Sequence, residues 1–211
     1  MWSKIGLVFC PNQEYHWMQS HAANTFSMIK EQNLIRTYFS CRDGENRSHI
    51  GWVEYTLEPS IEIQRISEEP VLSPGKVGHF DENGVSLACI IHHEGQVRLY
   101  YLGWTLGKTV PWHNSIGLAI MDSDMNTAER YSIAPIYDRS DVDPISLSYP
   151  FLFKNNGEFL VYYGSNRSWG QKNEDMDHVI KIARSQDGIA FEPLNHIALQ
   201  PTGPDEYAFS R

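Results

Sequence analysis

The stretch DENGVSLACIIHHEGQVRLYYLGW, residues 81–104, reads as one complete β-hairpin. Two acids and an Asn-Gly pair open it, and an apolar run of strand length follows. His93-Glu94-Gly95 makes a turn, and an aromatic strand returns through Tyr100 and Tyr101 to Trp104. Strand-length runs of Ile, Val, Leu and Tyr, bounded by Gly and Asn, mark paired strands. Two other segments share the pattern: NLIRTYFSCRD from Asn33 and EFLVYYGSNRSW from Glu158. Their aromatic pairs begin at Tyr38, Tyr100 and Tyr162, an interval of 62 residues each time. The strands that follow, HIGWVEY, SIGLAIM and VIKIARS, place Ile50, Ile116 and Ile180 at intervals of 66 and 64.

Self-similarity at a fixed interval names an architecture before any single residue does. Each unit reads as four strands, the second unit being SLACIIH, VRLYYLGW, IGLAIMD and RYSIAPIY. Four antiparallel strands in about 60 residues make a propeller blade. The expectation is an all-β chain, a five-bladed β-propeller with about three blades and the start of a fourth present. The units fall near 15–75, 78–140 and 141–202, and a fourth opens at 203–211. A five-unit ring needs roughly 315 residues at this interval, so the 211-residue chain is expected to be a truncated propeller. ANTFSMIKEQN is read as a first strand rather than a helix, and the apolar run in MWSKIGLVFCPNQ also as a strand.

Composition narrows the function classes. Hydrophobic residues make up 41% and charged residues 20%, as in ordinary globular proteins. The net charge of −9 repels phosphate backbones and disfavours nucleic acid as a partner. No apolar run approaches the ~20 residues of a membrane-spanning helix. Cys10, Cys41 and Cys89 are scattered, odd in number and without a CxxC, which points to a reducing, cytoplasmic setting. Aromatics at 12%, with 6 Trp and 11 Tyr, suit β structure and surfaces on which sugar rings stack.

The motifs HFDENGV, LYYLGW, NSIGLAIMDSD, PIYDRS, YPFLF, VYYGSNRSW, IKIARSQDGIAFEP and DEYAFSR resemble the five-bladed propeller glycosidase superfamily. That group holds glycoside hydrolase families 32, 43, 62 and 68 and the mannoside phosphorylases. The chain is most similar to bacterial members associated with glycan biosynthesis. The resemblance implies a funnel lined by the first strands of successive blades, with carboxylates from different blades flanking a glycosidic bond. One acid must donate a proton while the other activates water or attacks.

On that resemblance Asp81 takes the place of the axial acid, as base or electrostatic partner, and Glu206 that of the general acid. DENG is equally good turn chemistry. Where family 43 has a first-unit acid, this chain has Ser20 and His21, and the third unit offers Ser148 after Asp143. The set of acids is therefore incomplete. His21, Arg42 and Asp43 are expected to position the sugar, and Trp104, His113, Asn114 and Trp169 to build the funnel rim. Ser148 and Arg211 complete the substrate-binding set. DSDMN at Asp122 lacks the Gly and Glu of a calcium loop, and His92-His93 has no partner at zinc spacing, so no metal or cofactor is expected. The expected function is a glycoside hydrolase-like enzyme with a carbohydrate partner. The alternative is a non-catalytic sugar-binding propeller serving glycan biosynthesis.

Overall fold

The computed structural model describes residues 3–170, 176–203, 206, 208 and 209. Its regular structure is all-β, with no helix among the described residues. Twelve strands fall into three antiparallel groups of four. The first is β1 (Ser20–Glu31), β2 (Leu34–Arg42), β3 (Ser48–Thr56) and β4 (Glu62–Ile66). The second is β5 (Gly84–His93), β6 (Gln96–Leu106), β7 (Trp112–Met121) and β8 (Ala128–Arg130). The third is β9 (Ser146–Asn155), β10 (Glu158–Ser168), β11 (Asp177–Ser185) and β12 (Glu192–Leu199). A single parallel pairing, Ser48 with Gly84, joins the first two groups into one sheet.

The aromatic pairs fix an identical register in all three central hairpins. Tyr38 faces Trp52, Tyr100 faces Leu118 and Tyr162 faces Ile182. Two residues further, Ser40 faces Ile50, Leu102 faces Ile116 and Gly164 faces Ile180. Successive side chains point to opposite faces of a strand, so each sheet is apolar on both sides. Leu99 and Tyr101 of β6 enter the core shared with Tyr38, Ile50 and Trp52 of the first group. Tyr100 enters the core shared with Leu147, Phe159, Val161 and Tyr163 of the third. The sheets therefore stack face to face, each sandwiching a core layer with the next.

Polar ties repeat at the same interval. Arg36 Nη1 donates to the carbonyls of Asp124 and Met125 at 3.0 and 3.3 Å, and the Tyr38 hydroxyl to that of Met125 at 2.8 Å. One group further on, Arg98 Nη1 donates to the Asp187 carbonyl, and Tyr100 to that of Gly188 at 2.9 Å. The first and second groups thus each reach into the turn between the third and fourth strands of the next. The receiving residues, Met125 and Gly188, both have left-handed backbones, with φ of 59° and 74°. DSDMN and SQDGIAF, segments without a sequence-level role in chemistry, are these acceptor turns.

Two strand assignments differ from the sequence reading. The fourth strand of the second group is Ala128–Arg130, which takes in only the first residue of RYSIAPIY; the rest bends away until Tyr137 bridges to Ile116. The N-terminal apolar run forms no strand among the described residues. Val8 and Phe9 pack on the outer core of Trp17, Met18, Phe39 and Val53 without pairing to a sheet edge.

Candidate functional site

The three central hairpins turn at one side of the molecule, and pairs close to those turns converge there: Arg42 with Ser48, Trp104 with Asn114 and Asn166 with His178. Arg42, Trp104 and Asn166 are 62 residues apart along the chain. Between them opens a cleft of about 530 Å³. Its first layer is Arg42, Trp104 and Asn166, and its second Asn114 and His178. Ser86 and Ser148, again 62 apart, come from the first strands, and Trp112 stands at the rim. No Asp or Glu lines the cleft among the described residues.

Four of these side chains are held by hydrogen bonds: Trp104, Arg42, Ser148 and His178. Trp104 Nε1 donates to Ser48 Oγ at 2.7 Å, which fixes the indole. Arg42 Nη1 donates to the backbone carbonyl of Asn46 at 2.8 Å and to its Oδ1 at 3.0 Å. Its guanidinium carbon lies 5.3 Å from the Trp104 ring centre. Ser148 Oγ and His178 Nε2 are 2.9 Å apart, and His178 Nδ1 is 2.6 Å from the Phe209 carbonyl. A carbonyl only accepts, so Nδ1 carries the proton and Nε2 accepts from the Ser148 hydroxyl. Burial pushes the His178 pKa below its ordinary 6.5, with the Phe209 carbonyl and Asp177 offsetting part of that, so the ring is neutral near pH 7. Gly164 leaves the room: a Cβ there would stand 2.3 Å from Ser148 Oγ. Asn166 is 1% exposed, and both its amide atoms lack a partner among the described residues.

Of the residues singled out in the sequence, Arg42, Trp104, Asn114 and Ser148 line this cleft. The others lie elsewhere. Asp81 has no solvent exposure. Its Oδ2 accepts from Arg130 Nε at 2.8 Å and from the Tyr101 hydroxyl at 3.2 Å. A general acid or base must reach its proton directly or through one water, and this carboxylate sits inside an ion pair instead. Glu206 is exposed and accepts from the backbone N–H groups of Thr202 and Gly203 at 2.9 and 3.2 Å. Those donors, Thr202 first, hold its carboxyl below the ordinary carboxylate range, the opposite of what a proton donor needs. Glu82 caps its own turn in the same way, accepting from Gly78 N–H at 2.6 Å.

Asp43 is buried in the turn after β2, accepting from Arg47 Nε at 3.0 Å and facing His49 Nε2 at 3.1 Å. Burial would raise its pKa, but His49 and Arg47 outweigh that and lower it. His21 is exposed, with a left-handed backbone and Nδ1 2.9 Å from Ser20 Oγ. His113 is on β7 outside the lining. Trp169 meets the cleft through Trp112, edge to face with ring centres 5.2 Å apart. Arg211, like Asp205, lies outside the described residues. Ser86, Trp112, Asn166 and His178 line the cleft without having been singled out in the sequence; Asn166 and His178 could have been found by carrying the interval past the aromatic pair toward the turn of each hairpin.

Among known proteins, the uncharacterised proteins MT1551 and Rv1502 of Mycobacterium tuberculosis are each 40% identical to this chain over 210 residues, spanning 100% of it and 70% of their own length. No protein-family model matches. Among solved structures, a glycoside hydrolase superposes with a TM-score of 0.67 at 12% identity, covering 96% of this chain and 59% of its own. A thermostable family-43 glycoside hydrolase gives 0.65 at 15%, covering 92% and 60%. The α-L-arabinanase of Cellvibrio cellulosa gives 0.56 at 19%, covering 89% and 62%. The chain thus spans about three-fifths of these solved proteins. It has the fold of the β-propeller glycoside hydrolases of families 43 and 32, and by sequence it belongs to the family of the two mycobacterial proteins.

Proposed function

We propose that this chain is part of a five-bladed propeller that recognises a carbohydrate in the cleft between Arg42, Trp104 and Asn166, and that recognition rather than bond cleavage is its task. The observation that carries this reading is the chemistry of the lining. An indole held flat by Ser48 offers a stacking face, and the amides of Asn114 and Asn166 offer paired donors and acceptors for hydroxyls. Hydrolysis needs two carboxyl groups across the scissile bond, and the described lining has none. Three scattered cysteines without a CxxC support a reducing, cytoplasmic setting. Association with glycan assembly belongs to the same proposal.

A second reading, hydrolysis of a glycosidic bond with Asp81 and Glu206 as the acids, is supported by likeness of fold, and one fold hosts many functions. Calorimetric titration with oligosaccharides, followed by chromatography of the same samples after long incubation, separates the two. Binding without products is expected. Products that vanish in both Asp81→Asn and Glu206→Gln would overturn the binding reading in favour of hydrolysis.

A further inference from the structure

We infer that the sugar taken by this cleft carries an acidic oxygen group, a phosphate or a carboxylate, and that Arg42 receives it. The inference rests on the reading of the cleft as a sugar site, and it adds the ligand's charge.

The chain is acidic overall, with 26 Asp and Glu against 17 Lys and Arg. Most of the other described arginines find carboxylates: Arg36 pairs with Glu54, Arg47 with Asp43, Arg130 with Asp81, Arg167 with Asp177 and Arg184 with Glu192. Arg42 forms no such pair among the described residues. It is also the only residue of the described lining with a fixed charge. A cation left without a carboxylate partner in a concave, half-exposed site is poised for an anion, because a guanidinium matches carboxylate and phosphate oxygens in a two-pronged geometry.

The side chain is also set in advance. Asn46 holds Nη1 through two acceptors, and the Trp104 ring backs the guanidinium. Among the described residues nothing engages Nε or Nη2, which are left for a ligand, and most of the cost of ordering a long side chain is already met.

Asn166 supplies the independent observation. The residue is 1% exposed and lines the cleft, and among the described residues neither its donor nor its acceptor is engaged. Buried amides are normally partnered, so this one marks a place where a ligand completes the hydrogen bonding. Arg42 and Asn166 flank Trp104 at the same hairpin position. A sugar ring stacked on the indole would thus meet a cation on one side and a donor–acceptor pair on the other.

The test uses the whole chain on an array of matched glycans, each neutral, phosphorylated or carrying a uronic acid. Retention on acidic members is expected, at least about tenfold above their neutral counterparts, and weakened by added salt because charge attraction at a partly exposed site is screened. Arg42→Gln is expected to abolish that preference and Arg42→Lys to restore only part of it, since an ammonium keeps the charge and loses the fork. The phosphorylated and uronic arms tell which acid is read. Equal retention of neutral and acidic partners, or an unchanged preference in Arg42→Gln, would overturn the inference while leaving sugar binding in place. No retention of any glycan would remove the sugar reading and this inference with it.

Discussion

The Tyr101 hydroxyl donates to Asp81 Oδ2 at 3.2 Å, and 62 residues along the chain the Tyr163 hydroxyl donates to Asp143 Oδ2 at 2.9 Å. Both acids are wholly buried. Each is neutralised by a cation, Asp81 by Arg130 Nη2 at 2.7 Å and Asp143 by Lys181 Nζ at 2.8 Å. The acid precedes the first strand of its group and the tyrosine is on the second strand, so the pair clamps the lead-in loop onto the sheet. In the first group the corresponding residues are Gln19 and Phe39. Phe39 has no hydroxyl and packs on Phe9 instead, with ring centres 5.1 Å apart.

Asp81→Ala is therefore expected to damage the fold. Removing one partner of a buried ion pair leaves the other charge uncompensated, at a cost of about 3–5 kcal/mol. Arg130 is 21% exposed on its side chain, which places the expected loss at the lower end, about 3 kcal/mol. The double variant Asp81→Ala with Arg130→Met should recover part of it, since the stranded cation is gone. Urea unfolding of the two variants measures both quantities. A single variant as stable as the parent would show that the clamp contributes nothing.

The repeated register was legible in the sequence because period-2 patterning and a constant interval act within one short stretch. The ion pair of Asp81 was illegible for the opposite reason. An acid at the mouth of a first strand resembles a funnel acid, and the cation it pairs with, Arg130, is 49 residues away in β8. Nothing local announces that contact. The cleft was half legible. Arg42 and Trp104 stand out by type, while Asn166 occupies the same hairpin position with an unremarkable side chain. Position carries the site here, and side-chain identity varies from group to group. Val8 and Phe9 show the remaining limit: apolar character predicts burial, but only an available edge makes a strand.

Gly164 is the position at which the smallest change reaches the cleft. A Cβ there would lie 2.3 Å from Ser148 Oγ and 2.4 Å from His178 Cε1. Both neighbours are buried and anchored, so neither moves aside cheaply. Gly164→Ala should cost about 1–3 kcal/mol through overpacking and separate Ser148 from His178. Unfolding midpoints report the first effect, and the imidazole chemical shifts of His178 the second. A variant that leaves both unchanged would contradict the packing described for this wall.

His178 gives stability a pH dependence of defined sign. Burial favours its neutral form, so its pKa in the folded chain lies below 6.5, while the unfolded chain takes up the proton near 6.5. Its contribution is complete above about 6.5 and is lost progressively as the pH falls below that value, until the folded-state pKa is passed. His49, also lowered chiefly by burial and partly offset by Asp43, acts in the same window. His178→Gln cannot take up the proton. The stability margin of the parent over this variant should be largest near pH 7.5 and shrink toward pH 5, as followed by thermal melts. A margin independent of pH would show that His178 does not titrate differently on unfolding.

Trp104 is the residue on which sugar affinity should depend most visibly. Its indole is fixed through Ser48 and backs Arg42, so its ring is ordered before any ligand arrives. Loss of an ordered stacking face costs about 0.5–1.5 kcal/mol beyond the lost area, which converts to roughly twofold to tenfold in affinity. Trp104→Ala should show that loss, and Trp104→Phe should show less of it. Trp169→Ala should weaken binding only slightly, because Trp169 reaches the cleft through its edge-to-face contact with Trp112. Calorimetry on the three variants, against a glycan that the parent binds, orders them. An order in which Trp169→Ala is the weakest binder would move the stacking face from the floor of the cleft to its rim.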